Sequence, residues 1–186
     1  MIELGYMAKR ITARPAWLDN AAVSSVYSVA NCISPDFCDY VSFWNHNGFC
    51  FFNTPAGIGT TARESGADLT DLALLYYRAY PQQFDPKKGG WIDFHADPRI
   101  GTSVLPPPRK TLLGFDVVSY SQGYSHECSP VSCNNIAACI HVNEYCLIDS
   151  LDDAIHHLEN GEFQNSEPGP YRVIAVNLVS VPFDEQ

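Results

Sequence analysis

Residues 171–181, YRVIAVNLVSV, decide the fold. The run is apolar at odd and even positions alike, so a strand formed from it has no face left for water. Such a strand belongs in the middle of a sheet covered on both sides. Working outward, residues 112–120 (LLGFDVVSY), 74–80 (LLYYRAY) and 91–95 (WIDFH) read as further strands, and KKGG at 87–90 supplies the turn of a hairpin between the last two. Residues 22–30 (AVSSVYSVA) alternate with period two, and 48–52 (GFCFF) form a short apolar run, so both are also read as strands.

Helices are announced by caps. Ser150 precedes LDDAIHHLE, with Asp153 in the capping-box position and Leu151, Ala154, Ile155 and Leu158 on one face. Thr54-Pro55 opens a second helix that ends near Gly66, and Ser34-Pro35 opens a third, in which Phe37, Tyr40, Val41 and Trp44 share a stripe that ends at Asn47-Gly48. A short fourth is expected from Ser132, with Cys133, Ile136, Ala137 and Ile140 on one side. The expectation is an α+β fold, a single mixed and mainly antiparallel sheet of about six strands with three or four helices, in one globular domain over 1–186. Residues 1–20 are expected to be loosely ordered, 96–110 to form a proline-rich loop, and no internal repeat is apparent.

Charge narrows the partners. The net charge of -10 arises from 11 Lys and Arg against 21 scattered Asp and Glu, and the only basic clusters are Lys87-Lys88 and Arg109-Lys110, a poor footprint for nucleic acid. No apolar run has the length of a membrane span or an export signal, so the expected location is the cytoplasm. Ten Tyr, ten Phe and three Trp provide ample core and aromatic anchors for an interface.

The most chemical stretch is HECSPVSCNNIAACIHVNEYC at 126–146, with four of the seven cysteines. Its spacing fits no standard zinc knuckle, although His126, Cys128, Cys133 and His141 are an imaginable ligand set, and an odd cysteine count without an export signal argues for reduced thiols. Most of these cysteines read as core. The candidates for catalysis are Cys128, in a loop expected to be exposed just before a helix, and His126 two residues away. Neither is assigned a role, and no metal or cofactor is expected. Gly57-Ile58-Gly59-Thr60-Thr61-Ala62 has the form GxGxxA, a poor phosphate fingerprint with no acidic residue after the next strand, and Trp91, Asp93 and His95 align on one strand face.

The strings VYSVANCIS, ECSPVSCN and EPGPYRV resemble a family of uncharacterised bacterial proteins, over most of the chain. That resemblance implies a bacterial origin and one continuous domain, and it carries no activity. The reading that follows is a non-enzymatic binding protein of the immunity or inhibitor type, whose acidic, aromatic-rich surface recognises a protein partner such as a basic toxin or enzyme. The alternative is a thiol-dependent enzyme or small-molecule binder that uses Cys128 with His126 nearby.

Overall fold

A five-stranded antiparallel sheet carries the protein, seen in a computed structural model that describes residues 1–41, 44–121, 123–180 and 183. In chain order its elements are β1 (Ile2–Lys9), β2 (Thr12–Ala13), β3 (Ser25–Val26), α1 (Pro55–Ser65), β4 (Ala73–Asp85), β5 (Gly90–Asp93), β6 (Thr111–Ser119), α2 (Pro130–Cys133), α3 (Leu151–Glu159) and β7 (Tyr171–Leu178). The main sheet runs β1-β4-β7-β6, β5 extends the far end of β4 as a hairpin, and β2 pairs with β3 separately. No helix among the described residues is long and apolar enough to cross a membrane.

The sequence pattern explains the centre. β7 lies between β4 and β6 with its first seven residues buried. Burying each of Val173, Ile174 and Val176 contributes about 1.5–3 kcal/mol. The helices α1 and α3 start where their caps stand: Thr54 accepts from Gly57 N and Ser150 from Asp153 N, and Gly66 closes α1 in the left-handed conformation. The GxGxxA string is therefore part of the α1 helix and not a loop round a phosphate.

Several expectations need correction. Residues 2–9 form the edge strand β1, with Leu4, Tyr6 and Met7 buried, where loose order was expected. Their few apolar side chains gain order from pairing with β4, which a local pattern does not reveal. The helix expected after Ser34 is only a 3-10 turn, Phe37–Tyr40, and Val41 is already extended. Its stripe is covered in part all the same, since buried Phe37 and half-buried Trp44 both stack on Phe52, while the Tyr40 side chain lies outside what is described. The strand expected at 22–30 shrinks to β3, and 48–52 make a turn with a single bridge from Phe52 to Tyr6.

The last correction is the largest, because the chain contains an internal repeat. One unit runs β1, a Ser34-Pro35 turn, a loop at 47–53, α1 and β4; the other runs β6, a Ser129-Pro130 turn, a loop at 143–149, α3 and β7. In each, the first strand pairs with the last, and β4 meets β7 antiparallel, which is a two-fold arrangement. Local chemistry repeats too. Asn47 Nδ2 donates to Leu4 O (2.8 Å) and Asn53 Oδ1 (3.1 Å), while its Oδ1 accepts from Phe49 N and Phe51 N. Asn143 Nδ2 donates to Leu113 O (2.8 Å) and Asp149 Oδ1 (3.1 Å), and its Oδ1 accepts from Tyr145 N and Leu147 N.

The strand beside each loop also bulges at a glycine, Gly5 (φ 129°) or Gly114 (φ 148°). A Cβ there would stand 2.3 Å from Phe52 O or 2.8 Å from Ile148 O, so only glycine admits the loop this closely. Asn47 is buried, and truncating it orphans a carbonyl and two N–H groups at a cost of about 1–3 kcal/mol each where they stay dry. We expect Asn47→Ala to lower the urea-unfolding free energy by about 3 kcal/mol or more, and Asn143→Ala, at a half-buried position, by roughly half of that.

Candidate thiolate and metal centre

One segment of the first unit crosses to the second. Residues 28–32 are held by Lys9, whose buried Nζ donates to Val29 O (2.6 Å), Ala30 O (3.1 Å) and Asn31 Oδ1 (3.1 Å). From the other side, Asp116 on β6 accepts from Val29 N (2.9 Å) and Ser129 Oγ (2.6 Å), and Ser129 Oγ accepts from Ala30 N (3.1 Å). A cation from β1 and a carboxylate from β6 thus fix the backbone just before Cys32.

Two further cysteines meet it there. Cys128 is placed by the bridge between its carbonyl and Ser119 N (2.8 Å), and Cys133 closes α2 with its N–H on Ser129 O (2.9 Å). The sulfur atoms of Cys32, Cys128 and Cys133 all lie within 4.8 Å of one another. Cys32 is exposed, Cys133 half-buried and Cys128 buried. A tetrahedral cation with bonds to sulfur near 2.3 Å spaces its ligands about 3.8 Å apart, so closure on such an ion needs shifts of about an ångström at most.

Of the three thiols, the outermost, Cys32, is the one favoured to ionise. Hydrogen bonds from Cys128, then from Cys133, hold the Cys32 thiol far below its ordinary value against the opposing effect of burial, and the Lys9 charge adds to them. Cys128 is pushed up, because it donates to Cys133 and Cys32 and is buried as well. Cys133 accepts from Cys128, which pulls it down, yet its own donation to Cys32 and its burial leave it raised. Three thiols sharing one charge are a nucleophile and a soft-metal ligand set at once.

The expected site residues fare unevenly. Cys128 is buried, not exposed, and its sulfur faces its fellow cysteines and Asn134 Oδ1 (3.9 Å). His126 does not join the sulfur group; its ring stacks on Phe51 at 5.0 Å, its Nδ1 is buried without a partner among the described residues, and burial pushes its pKa down to about 3. A ring so weakly basic takes no proton from a thiol near neutrality. His141 sits apart with Asp149 at 3.0 Å, so the His126, Cys128, Cys133 and His141 set is not assembled. The reading missed Cys32. The only available signal was the repeated S-P-x-x-C string, at Ser34–Cys38 and Ser129–Cys133, which aligns the two units and shows a cysteine just upstream of each turn.

Compared with known proteins, the chain matches no family model, no curated protein and no solved structure.

Asp116 gives the scaffold of this site a pH signature. Complete burial raises its carboxyl from 3.8 to about 6, against the hydrogen bonds from Ser129 and Val29 that favour the charged form. The folded state therefore binds this proton more tightly than the unfolded chain, and the stability it contributes is full below about pH 3.8 and lost as pH rises through 6. We expect the stability of the parent relative to Asp116→Asn to fall by on the order of 2 kcal/mol between pH 4 and pH 7, measured by chemical denaturation, whatever the constant offset between the two proteins.

Proposed function

We propose that the protein binds a thiophilic cation of the zinc or copper(I) class at Cys32, Cys128 and Cys133. The observation that carries this reading is the convergence of three sulfurs within 4.8 Å from two separate parts of the chain. Soft thiolate donors select these ions over hard oxygen-seeking ones. Three protein ligands with the exposed Cys32 on the outer side leave a fourth position to water or an incoming ligand. That is the coordination of an exchanging or reactive site, not of a closed structural one. Lys9 supports it by lowering the energy of the extra negative charge that two or three thiolates bring.

The same cluster supports a second reading, in which Cys32 itself is the reactive group of a thiol-dependent enzyme or binder. Its exposure and its stabilised thiolate favour this, and they move the nucleophile from Cys128, where the sequence placed it, to Cys32. The protein-binding reading, of the immunity or inhibitor type, keeps the support of the acidic charge alone. Most of the large aromatic side chains lie in the core, among them Tyr6, Tyr76, Tyr77, Phe37, Phe51 and Phe163, and Trp17 and Tyr124 are the exposed large aromatics among the described residues.

Titration of the reduced protein with zinc(II) separates these readings. We expect one equivalent to bind, to protect Cys32 from sub-stoichiometric iodoacetamide, and to lose affinity by about 100-fold or more in Cys32→Ser, Cys128→Ser or Cys133→Ser. Cys139→Ser, at an exposed cysteine outside the cluster, should bind as the parent does. Selective alkylation of Cys32 that zinc does not block, with no tight binding, would favour the nucleophile. Equal loss in Cys139→Ser would sink both.

A further inference from the structure

A second candidate site lies toward the end of the sheet where β5 extends β4. A cavity of ≈ 360 Å³ is bordered by Gln83, Asp93, His95, Tyr120, Tyr124 and Arg172. Its wall is built around Arg172, on β7, which is only 4% exposed. The guanidinium carbon stands 3.6 Å from the ring centroid of Phe94 and 3.6 Å from that of Tyr120, with the two centroids 6.4 Å apart. Both faces of the cation are therefore covered by aromatic rings. Its Nε donates to Gln83 Oε1 at 3.0 Å, which fixes the plane in which the remaining N–H groups point.

Two donors on this wall have no partner beyond each other. Arg172 Nη1 and the Tyr120 hydroxyl are both fully buried and interact with one another, and neither makes a well-formed hydrogen bond to any other described residue. A buried guanidinium N–H without an acceptor is costly, and proteins rarely retain one except where something else fills the role. Since the faces are closed and only an edge is free, the acceptor must approach in the plane of the guanidinium, as carboxylates and phosphates do. Charge selects between them. Arg172 is the one lysine or arginine among the described residues of the wall, Asp93 stands beside it and the chain carries a net charge of -10, so a singly charged group fits and a dianion does not.

The geometry points to a binding site for a small monocarboxylate with a flat apolar body, held by the edge of Arg172 and the hydroxyl of Tyr120. The rings of Tyr120 and Tyr124 offer its body apolar contact, and the volume suits a small ligand. The site also gives a role to two members of the Trp91, Asp93 and His95 alignment, because β5 and the two residues after it carry Asp93 and His95 to the cavity, while Trp91 packs on Tyr80 and Phe84.

Calorimetric titration of the full chain with sodium benzoate, at constant ionic strength, tests this. We expect saturable binding of one equivalent with Kd of about 1 mM or tighter, and binding of the uncharged isostere benzamide at least about ten-fold weaker. Tyr120→Phe removes one donor and leaves the rings in place, so it should fold as the parent does and bind benzoate about ten-fold more weakly, while Arg172→Met should abolish binding. If Arg172→Met does not fold, Tyr120→Phe still decides. No saturation by about 10 mM, equal affinity for benzamide, undiminished binding by Tyr120→Phe, or tighter binding of inorganic phosphate at the same site would each overturn the assignment.

Discussion

Two asparagines hold this fold together. Asn47 and Asn143 each bind a loop internally through a side-chain oxygen that accepts two backbone N–H groups, and each ties that loop through its amide to the carbonyl before a strand glycine. The loop then launches a helix from Thr54 or Ser150 and returns the chain to the sheet beside the strand it left. A loop so short of regular structure depends on side-chain acceptors for its backbone groups, and no apolar contact replaces them. Duplication of this unit and antiparallel pairing of β4 with β7 produce the sheet.

The chemistry lies where the two units differ. In the first unit the cysteine of the S-P-x-x-C turn, Cys38, lies 3.9 Å from Met7 Sδ. In the second the equivalent Cys133 faces Cys128, and the segment before the first turn crosses over to add Cys32. Lys9 and Asp116 anchor that crossing segment from the edge strands of opposite units. A site made this way is unavailable to either unit alone.

How much of this could be read from the sequence follows the range of the interactions. The central position of β7, the caps of α1 and α3 and the β4–β5 hairpin rest on patterns within a dozen residues, and they were legible. β1 was not, because Gly5 and the polar ends of Ile2–Lys9 blur the alternation and pairing with β4 supplies the order. The stripe of Phe37, Val41 and Trp44 marked buried and half-buried side chains and wrongly implied a helix, since a loop folded over Phe52 covers the same residues. The repeat escaped because it persists in a few positions, Ser34-Pro35 with Ser129-Pro130 and Asn47 with Asn143, set in dissimilar surroundings. Without it nothing in the sequence connects Cys32 to Cys128, and His126, two residues from Cys128, is turned toward Phe51 in space.

In the proposed site three sulfurs from both units close on one ion. X-ray absorption at the zinc edge, on protein loaded with a single equivalent, measures this without reference to affinity or activity. Three sulfur neighbours at about 2.3 Å are expected, with one lighter oxygen or nitrogen neighbour completing the shell. A shell made only of oxygen and nitrogen, or one with a single sulfur, would contradict it.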